Sequence, residues 1–200
     1  MPRRPRLDRD VVVQAAVELL DSEGVGSLSL GQLAERLGVQ TPSLYNHVEG
    51  MPGLRRQLAL RNTRDLAACI GDAAMGRSGP EALLGVAEAY RGYIKQHPGL
   101  YMASLRASGV QPQDGISVDP ELAAAEERVV RIVLAVLASF DLAGEDAIHA
   151  VRGLRSVVHG FATLEVAGGF GLPLDCDESF RRLVGILTRG LVKEAATVSM

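Results

Sequence analysis

Two helical patterns in this chain meet across two residues. The first, SLGQLAERLG, opens at Ser29 and stops at Gly38. The second, TPSLYNHV, opens at Thr41, so only Val39 and Gln40 intervene. Ser29 followed by Gln32 has the spacing of a capping box, in which each side chain satisfies an orphan backbone donor at a helix start. Pro42 stands in the first turn of the second pattern, where its missing N–H costs nothing. Two short helices joined by so tight a glycine-containing turn form a helix-turn-helix, which dictates an angled pair rather than a long rod.

The residue order then decides what each face does. At about 100° per residue, Leu44 and Val48 share one side of the second helix, while Thr41, Pro42 and Tyr45 fall within about 100° of each other elsewhere. Leu33 and Leu37, with Leu30, point inward from the preceding helix, as do Val12, Ala16, Leu19 and Leu20 from a first helix that Asp8 caps and Gly24 ends. Thr41, Pro42 and Tyr45 are therefore turned outward, flanked by Ser43, Asn46 and His47. A helix tip of this kind fits the major groove, where small hydroxyl and apolar groups meet base edges. Ser29, Tyr45 and His47 carry donors suited to phosphate oxygens, and Arg3, Arg4 and Arg6 form a basic arm. Charge agrees with this division. Residues 1–64 hold nine Arg against seven Asp and Glu, a net +2, whereas the remainder is −5 within a total of −3. A small anion-binding module at residues 1–50 joined to a larger domain at 51–200 is expected.

Strand signals are nearly absent, and helix punctuation continues to the end. Patterns follow at about 53–75, 81–97, 99–107, 120–140, 144–167 and 176–195, with a polar loop at 108–118 and the break GGFGLPLD before the last. The fold class expected is all-α with about nine helices. Helix 144–167 carries two apolar seams. Ala150, Gly153, Val157, Gly160 and Leu164 form the first, and Ala147, Val151, Leu154, Val158 and Phe161 the second. Together they span about 180°, more than the roughly 100° a surface helix needs to cover one core. With Phe180, Leu183, Val184, Leu187 and Leu191 of the last helix, the excess predicts a four-helix interface between two copies of the chain. Arg152, Ser156, His159 and Thr163 fill the polar arc, and His159 is expected at the surface. An effector pocket among the middle helices has Tyr90, Tyr93, Tyr101, Met102, Leu105 and Phe140 as candidate lining. Arg106 and His97 are its candidate polar anchors.

Other classes fail on inventory. The four His are scattered, with no pair at metal-ligand spacing, and no cofactor is implied. GGFGLP has no third glycine for a dinucleotide loop, and neither a GxSxG elbow nor a P-loop occurs, so an enzyme is not expected. Cys69 and Cys176 are isolated and read as reduced thiols. No apolar run reaches about 18 residues, so a membrane span is not expected. MPRRPRLDRD lacks the apolar segment of a signal peptide, and a cytoplasmic location is expected.

Residues 8–55, through AAVELLDSEGVGSLSLGQLAERLGVQTPSLYNHV and the following Leu54, resemble the DNA-binding domain of the TetR family of transcriptional regulators. The HPGLY and VVHGFATLE segments are similar to a TetR C-terminal domain often labelled WHG, with Val158 where that label expects Trp. The resemblance implies a homodimer that reads a near-palindromic operator and is a repressor released by a small effector. It implies base contacts from Gln40, Thr41, Pro42, Ser43 and Tyr45, and phosphate contacts from Ser29, Tyr45 and His47. One departure stands out. Met51 occupies the place of a Lys that touches phosphate in the family, leaving Arg55 or Arg56 to take over. An all-α ligand-binding or interaction protein with a weakened or lost reader is the alternative.

Overall fold

The computed structural model describes residues 7–108 and 119–198. Among them are nine α-helices and no strand. They are α1 (Arg9–Glu23), α2 (Leu30–Leu37), α3 (Thr41–Leu44), α4 (Gly50–Ala74), α5 (Gly79–Gln96), α6 (Pro98–Ser108), α7 (Pro120–Leu137), α8 (Gly144–Val166) and α9 (Cys176–Val198). Single 3-10 turns at Val25–Ser27 and Ala138–Phe140 follow α1 and α7. The basic arm at Arg3, Arg4 and Arg6, and nearly all of the 108–118 loop, lie outside the described residues. The chain condenses into two compact units that do not follow chain order. One runs to Thr63 and takes up His97–Ala123; the other comprises Arg64–Gln96 and everything from Ala124 onward.

The first unit is built around α1. Its Val12, Val13, Ala15, Ala16, Val17, Leu19 and Leu20 are all buried, so this helix is enclosed on more than one side. Asp8 caps it by accepting the Val11 N–H at 2.9 Å. Leu30, Leu33 and Ala34 of α2, Leu44 of α3, Leu54 and Leu58 of α4, and Leu100 of α6 share its core. α6 can approach α1 because Gly99 faces the Leu20 and Asp21 backbone, where a Cβ would collide. Asp21 completes the joint. Its Oδ1 accepts the Gly99 and Leu100 N–H groups at 2.9 and 3.0 Å, satisfying free donors at the start of α6. His97, expected as a ligand anchor, instead places Nδ1 3.0 Å from Asp21 Oδ2. Arg56 of α4 donates from Nη2 to Asp119 Oδ1 and Glu121 Oε2, at 2.9 and 3.0 Å. Its guanidinium holds Asp119 below the usual carboxylate range.

In the second unit α8 and α9 pack on α5. The centre of this packing is a buried ionic cluster. Arg91 Nε and Nη2 donate to the two oxygens of Glu165, each at 2.7 Å. Its Nη1 lies 2.8 Å from Asp177. Lys95 Nζ adds a third bond to Glu165 at 2.7 Å. The Arg91 guanidinium sits 5.4 Å from the centre of the Phe161 ring and 5.0 Å from that of Phe180, close enough for cation–π attraction. The Arg91 partnership, reinforced by Lys95, holds Glu165 below the ordinary glutamate range despite its burial.

Four sequence expectations need correction. TPSLYNHV is not one regular helix. Regular α-helix ends at Leu44 and the path tightens, with His47 and Val48 N–H groups both bonding Leu44 O at 2.9 Å. Asn46 and His47 are weak helix formers, which suits this tightening. Phe180 is not available to a partner copy, because it is fully buried in its own chain against Phe161 and Arg91. Ala150, Val184 and Leu191 are likewise buried in their own chain. His159 is half-buried, and desolvation, helped by Arg155, pushes its imidazole below the usual range.

Candidate nucleic-acid interface

Ser29 adopts the extended backbone of an N-cap, and its Oγ accepts the Gln32 N–H at 3.2 Å. The hydroxyl proton goes to Gln32 Oε1 at 2.8 Å. The capping box is thus closed side chain to side chain, and the proton expected to serve a phosphate is engaged locally. Gln32, exposed beside it, is the capping partner that the spacing named. At the other end of α2, Gly38 takes a left-handed conformation at φ 65° and ψ 36°. Val39 N–H bonds Ala34 O at 3.0 Å, and the Val39 side chain packs on the core. This is a Schellman stop with its apolar seal, and it sets the direction in which α3 leaves.

α3 is anchored on one side alone. Leu44 is fully buried and Val48 is 4% exposed. Gln40, Pro42, Tyr45 and Asn46 are exposed, and Thr41, Ser43 and His47 are half-buried. Tyr45 has 60% of its surface in solvent. Its ring lies over Gly50, where a Cβ would sit 3.7 Å from Tyr45 Cε1. Among the described residues the site thus gathers hydroxyls, amides and one aromatic on one surface, with an apolar anchor behind.

The cations are arranged differently from the sequence expectation. Met51 packs half-buried against the core of the first unit. Arg56, one of two candidates to replace the missing Lys, is committed to Asp119 and Glu121. Arg36 of α2 is paired with Glu18 at 3.5 Å. Arg55 is exposed. The Arg56 tether was not foreseen, because its partners lie 63 and 65 residues away.

The candidate pocket residues divide between the units. Tyr90, Tyr93 and Phe140 are buried in the second. Tyr101 is buried, Leu105 half-buried and Met102 36% exposed in the first. The Arg106 side chain lies outside the described residues. Among the described residues no group of three or more His, Cys, Asp or Glu could hold a metal ion. No helix there is long and apolar enough to cross a membrane.

On the proposed interface of the second unit, the second seam of α8 is buried through Ala147, Leu154 and Val158. The first seam is largely open. A Cβ at Gly153 or Gly160 would meet nothing within 4 Å, Val157 is half-buried and Leu164 is 52% exposed. Leu183 and Leu187 of α9 are half-buried. Ile186, one residue from the predicted seam, is 59% exposed.

Comparison with known proteins bears on the whole chain. Residues 12–56 match the family of bacterial regulatory proteins, tetR family. Residues 83–187 match the tetracyclin repressor-like C-terminal domain. An uncharacterized HTH-type transcriptional regulator of Mycobacterium tuberculosis, Rv0681, is 38% identical over 94% of this chain and 84% of its own length. A second, YobS of Bacillus subtilis, is 34% identical over 96% of both chains. A solved structure of a protein with unknown function from Rhodococcus sp. RHA1 superimposes with a TM-score of 0.76 at 26% identity, covering 96% of this chain and 99% of that one. With an N-terminal helix-turn-helix, an all-α remainder and relatives over nearly its full length, the chain belongs to the TetR family of transcriptional regulators.

Proposed function

We propose that this regulator is a homodimeric repressor. Residues 1–50 read a near-palindromic operator, and residues 51–200 hold the dimer together and take up a small apolar effector that releases the DNA. Base edges are met by Gln40, Thr41, Pro42, Ser43 and Tyr45, and phosphates by Tyr45, His47 and the surface around Ser29, with Asn46 flanking. The observation that carries this reading is the one-sided anchoring of α3. Leu44 and Val48 are sunk in the core, while Tyr45 is 60% exposed, Gln40, Pro42 and Asn46 are exposed, and Thr41, Ser43 and His47 are half-buried. The open first seam of α8 supports pairing. The effector assignment draws on the C-terminal family match and on the burial of Tyr90, Tyr93 and Phe140 in the second unit. The regulatory role involves no catalysis, and the protein acts in the cytoplasm.

Selection of bound duplexes from a random pool is the direct test. Expected is a motif of two related half-sites about 10 bp apart, the separation of two recognition helices across one turn of DNA. Thr41→Ala combined with Tyr45→Phe should abolish enrichment of that motif while the far-ultraviolet spectrum and thermal unfolding stay unchanged. Undiminished enrichment by the double variant would remove these residues from the reading surface.

A second reading has its own observation. Met51 packs half-buried against the core, and Arg36 and Arg56 are paired with carboxylates. A helical ligand-binding protein whose reader has lost its DNA affinity fits these facts. Absence of duplex binding even at low salt would decide for it, since phosphate attraction is strongest there.

A further inference from the structure

The segment between α8 and α9, residues 167–175, has an unusual combination of a fixed backbone and bare apolar side chains. Its start is locked by three bonds: Ala167 N–H to Thr163 O at 3.1 Å, Gly168 N–H to Glu165 O at 3.0 Å and Gly169 N–H to Leu164 O at 2.7 Å. Phe170 packs on Phe161 with ring centres 4.7 Å apart, and Phe161 packs in turn on Phe180. The far end is fixed by Asp175, whose Oδ1 accepts the Asp177 N–H at 2.8 Å at the start of α9. Between these anchors Leu174 N–H bonds Leu172 O at 2.8 Å. Leu172 and Leu174 are nevertheless 76% and 71% exposed. A loose loop could fold such side chains away, but this one is pinned at both ends.

We propose that Leu172 and Leu174 dock on a second copy of this chain, extending the α8 and α9 face into the loop that joins them. The inference rests on the dimer reading above. Two observations select this occupant. The first is continuity: Leu164 is the last residue of the open α8 seam, its carbonyl receives the Gly169 N–H, and its side chain lies against Gly169. Seam and loop are therefore one surface. The second is area. A face of two 23-residue helices is about 35 Å long and about 20 Å wide, roughly 700 Å². That lies within the roughly 600–1,000 Å² each partner gives to a standard interface. Two bare leucines, on the order of 100 Å² each, raise it past the middle of that range. A two-fold interface uses the same patch twice, so the gain is counted on both subunits.

The test is the dimer dissociation constant of the full chain by sedimentation equilibrium. Leu172→Glu with Leu174→Glu should weaken the dimer by about tenfold or more, with thermal unfolding of the dissociated chain unchanged because both side chains are exposed already. Photocrosslinking from a benzophenone side chain at position 172 should yield a product of twice the chain mass. Gly160→Glu, on the α8 seam, serves as the reference. Should it dissociate the dimer while the leucine variant keeps wild-type affinity, pairing stands and the loop contact is overturned. A wild-type protein that is monomeric at micromolar concentration would instead overturn the dimer reading itself. Flotation of the wild type with phosphatidylglycerol vesicles, lost in the leucine variant with the dimer unaffected, also overturns the proposal.

Discussion

At the level of single residues, Gly99 shows how one missing carbon decides a packing arrangement. Backbone meets backbone where α6 crosses α1, and no side-chain rotation relieves a Cβ placed against the Leu20 carbonyl. Gly99→Ala should therefore destabilise the first unit by more than about 2 kcal/mol, at the upper end of overpacking costs. Chemical denaturation followed by circular dichroism measures this. An unchanged midpoint would mean that α6 can shift away from α1 at little cost. This constraint was hidden in the sequence, where Gly99 reads as a helix boundary after Pro98. The α2 cap was plainer: Ser29, Gln32 and Gly38 sit at fixed local spacings, and local spacing is what a sequence displays. Asp21 is the opposite case. It looks like an ordinary exposed acid near the end of α1, yet it caps a helix that begins 77 positions later.

Among the helices, the same distinction separates what could be read from what could not. The nine helices were legible because caps, prolines and apolar periodicity are local. The two seams of α8 were legible too, and the structure distributes them: one faces its own core, and the other, buried at Ala150, is open at Gly153, Gly160 and Leu164. The assignment of Phe180 to the outside failed because the apolar stripe of α9 does not reveal which part a neighbouring helix covers. The role of Arg91 was not visible in the sequence, for a related reason. A charged residue on an apolar helix face has meaning only with its partners, and Glu165 stands 74 positions away. The Arg91–Glu165 pair also makes stability depend on pH. Glu165 is held below its ordinary range in the folded state. Its contribution is present in full above the unfolded-state value near pH 4.3 and is lost as pH falls through the lower folded-state value. Glu165→Gln should cost roughly 2–4 kcal/mol at pH 7, because it strands a buried guanidinium that keeps only Asp177. The variant should also lose less stability than the wild type between about pH 5 and pH 3. Parallel curves for the two proteins would assign the acid sensitivity to other carboxylates.

For the molecule as a whole, the distribution of cations decides how the protein meets a polyanion. Arg36 and Arg56 are paired with carboxylates, and Met51 packs half-buried against the core. Each phosphate neutralised by a protein cation steepens the fall of log K with log salt by about 0.9. Arg56→Gln should therefore leave that slope where it is, since Arg56 already has its counter-charge. Met51→Lys tests the complementary point. A lysine stem can cover the surface that Met51 covers, with its ammonium reaching outward. If the start of α4 lies against the DNA backbone, the substitution restores one phosphate contact per protomer. A dimer on two half-sites then gains two such contacts, and the slope should steepen by about 1.8. A single reader on DNA would gain about 0.9, so the size of the change also counts the protomers bound. Fluorescence anisotropy on a selected operator, across about 50–200 mM salt, measures all three proteins. A slope unmoved by Met51→Lys would place the start of α4 away from phosphate, and the reading surface would then be confined to α3 and the start of α2.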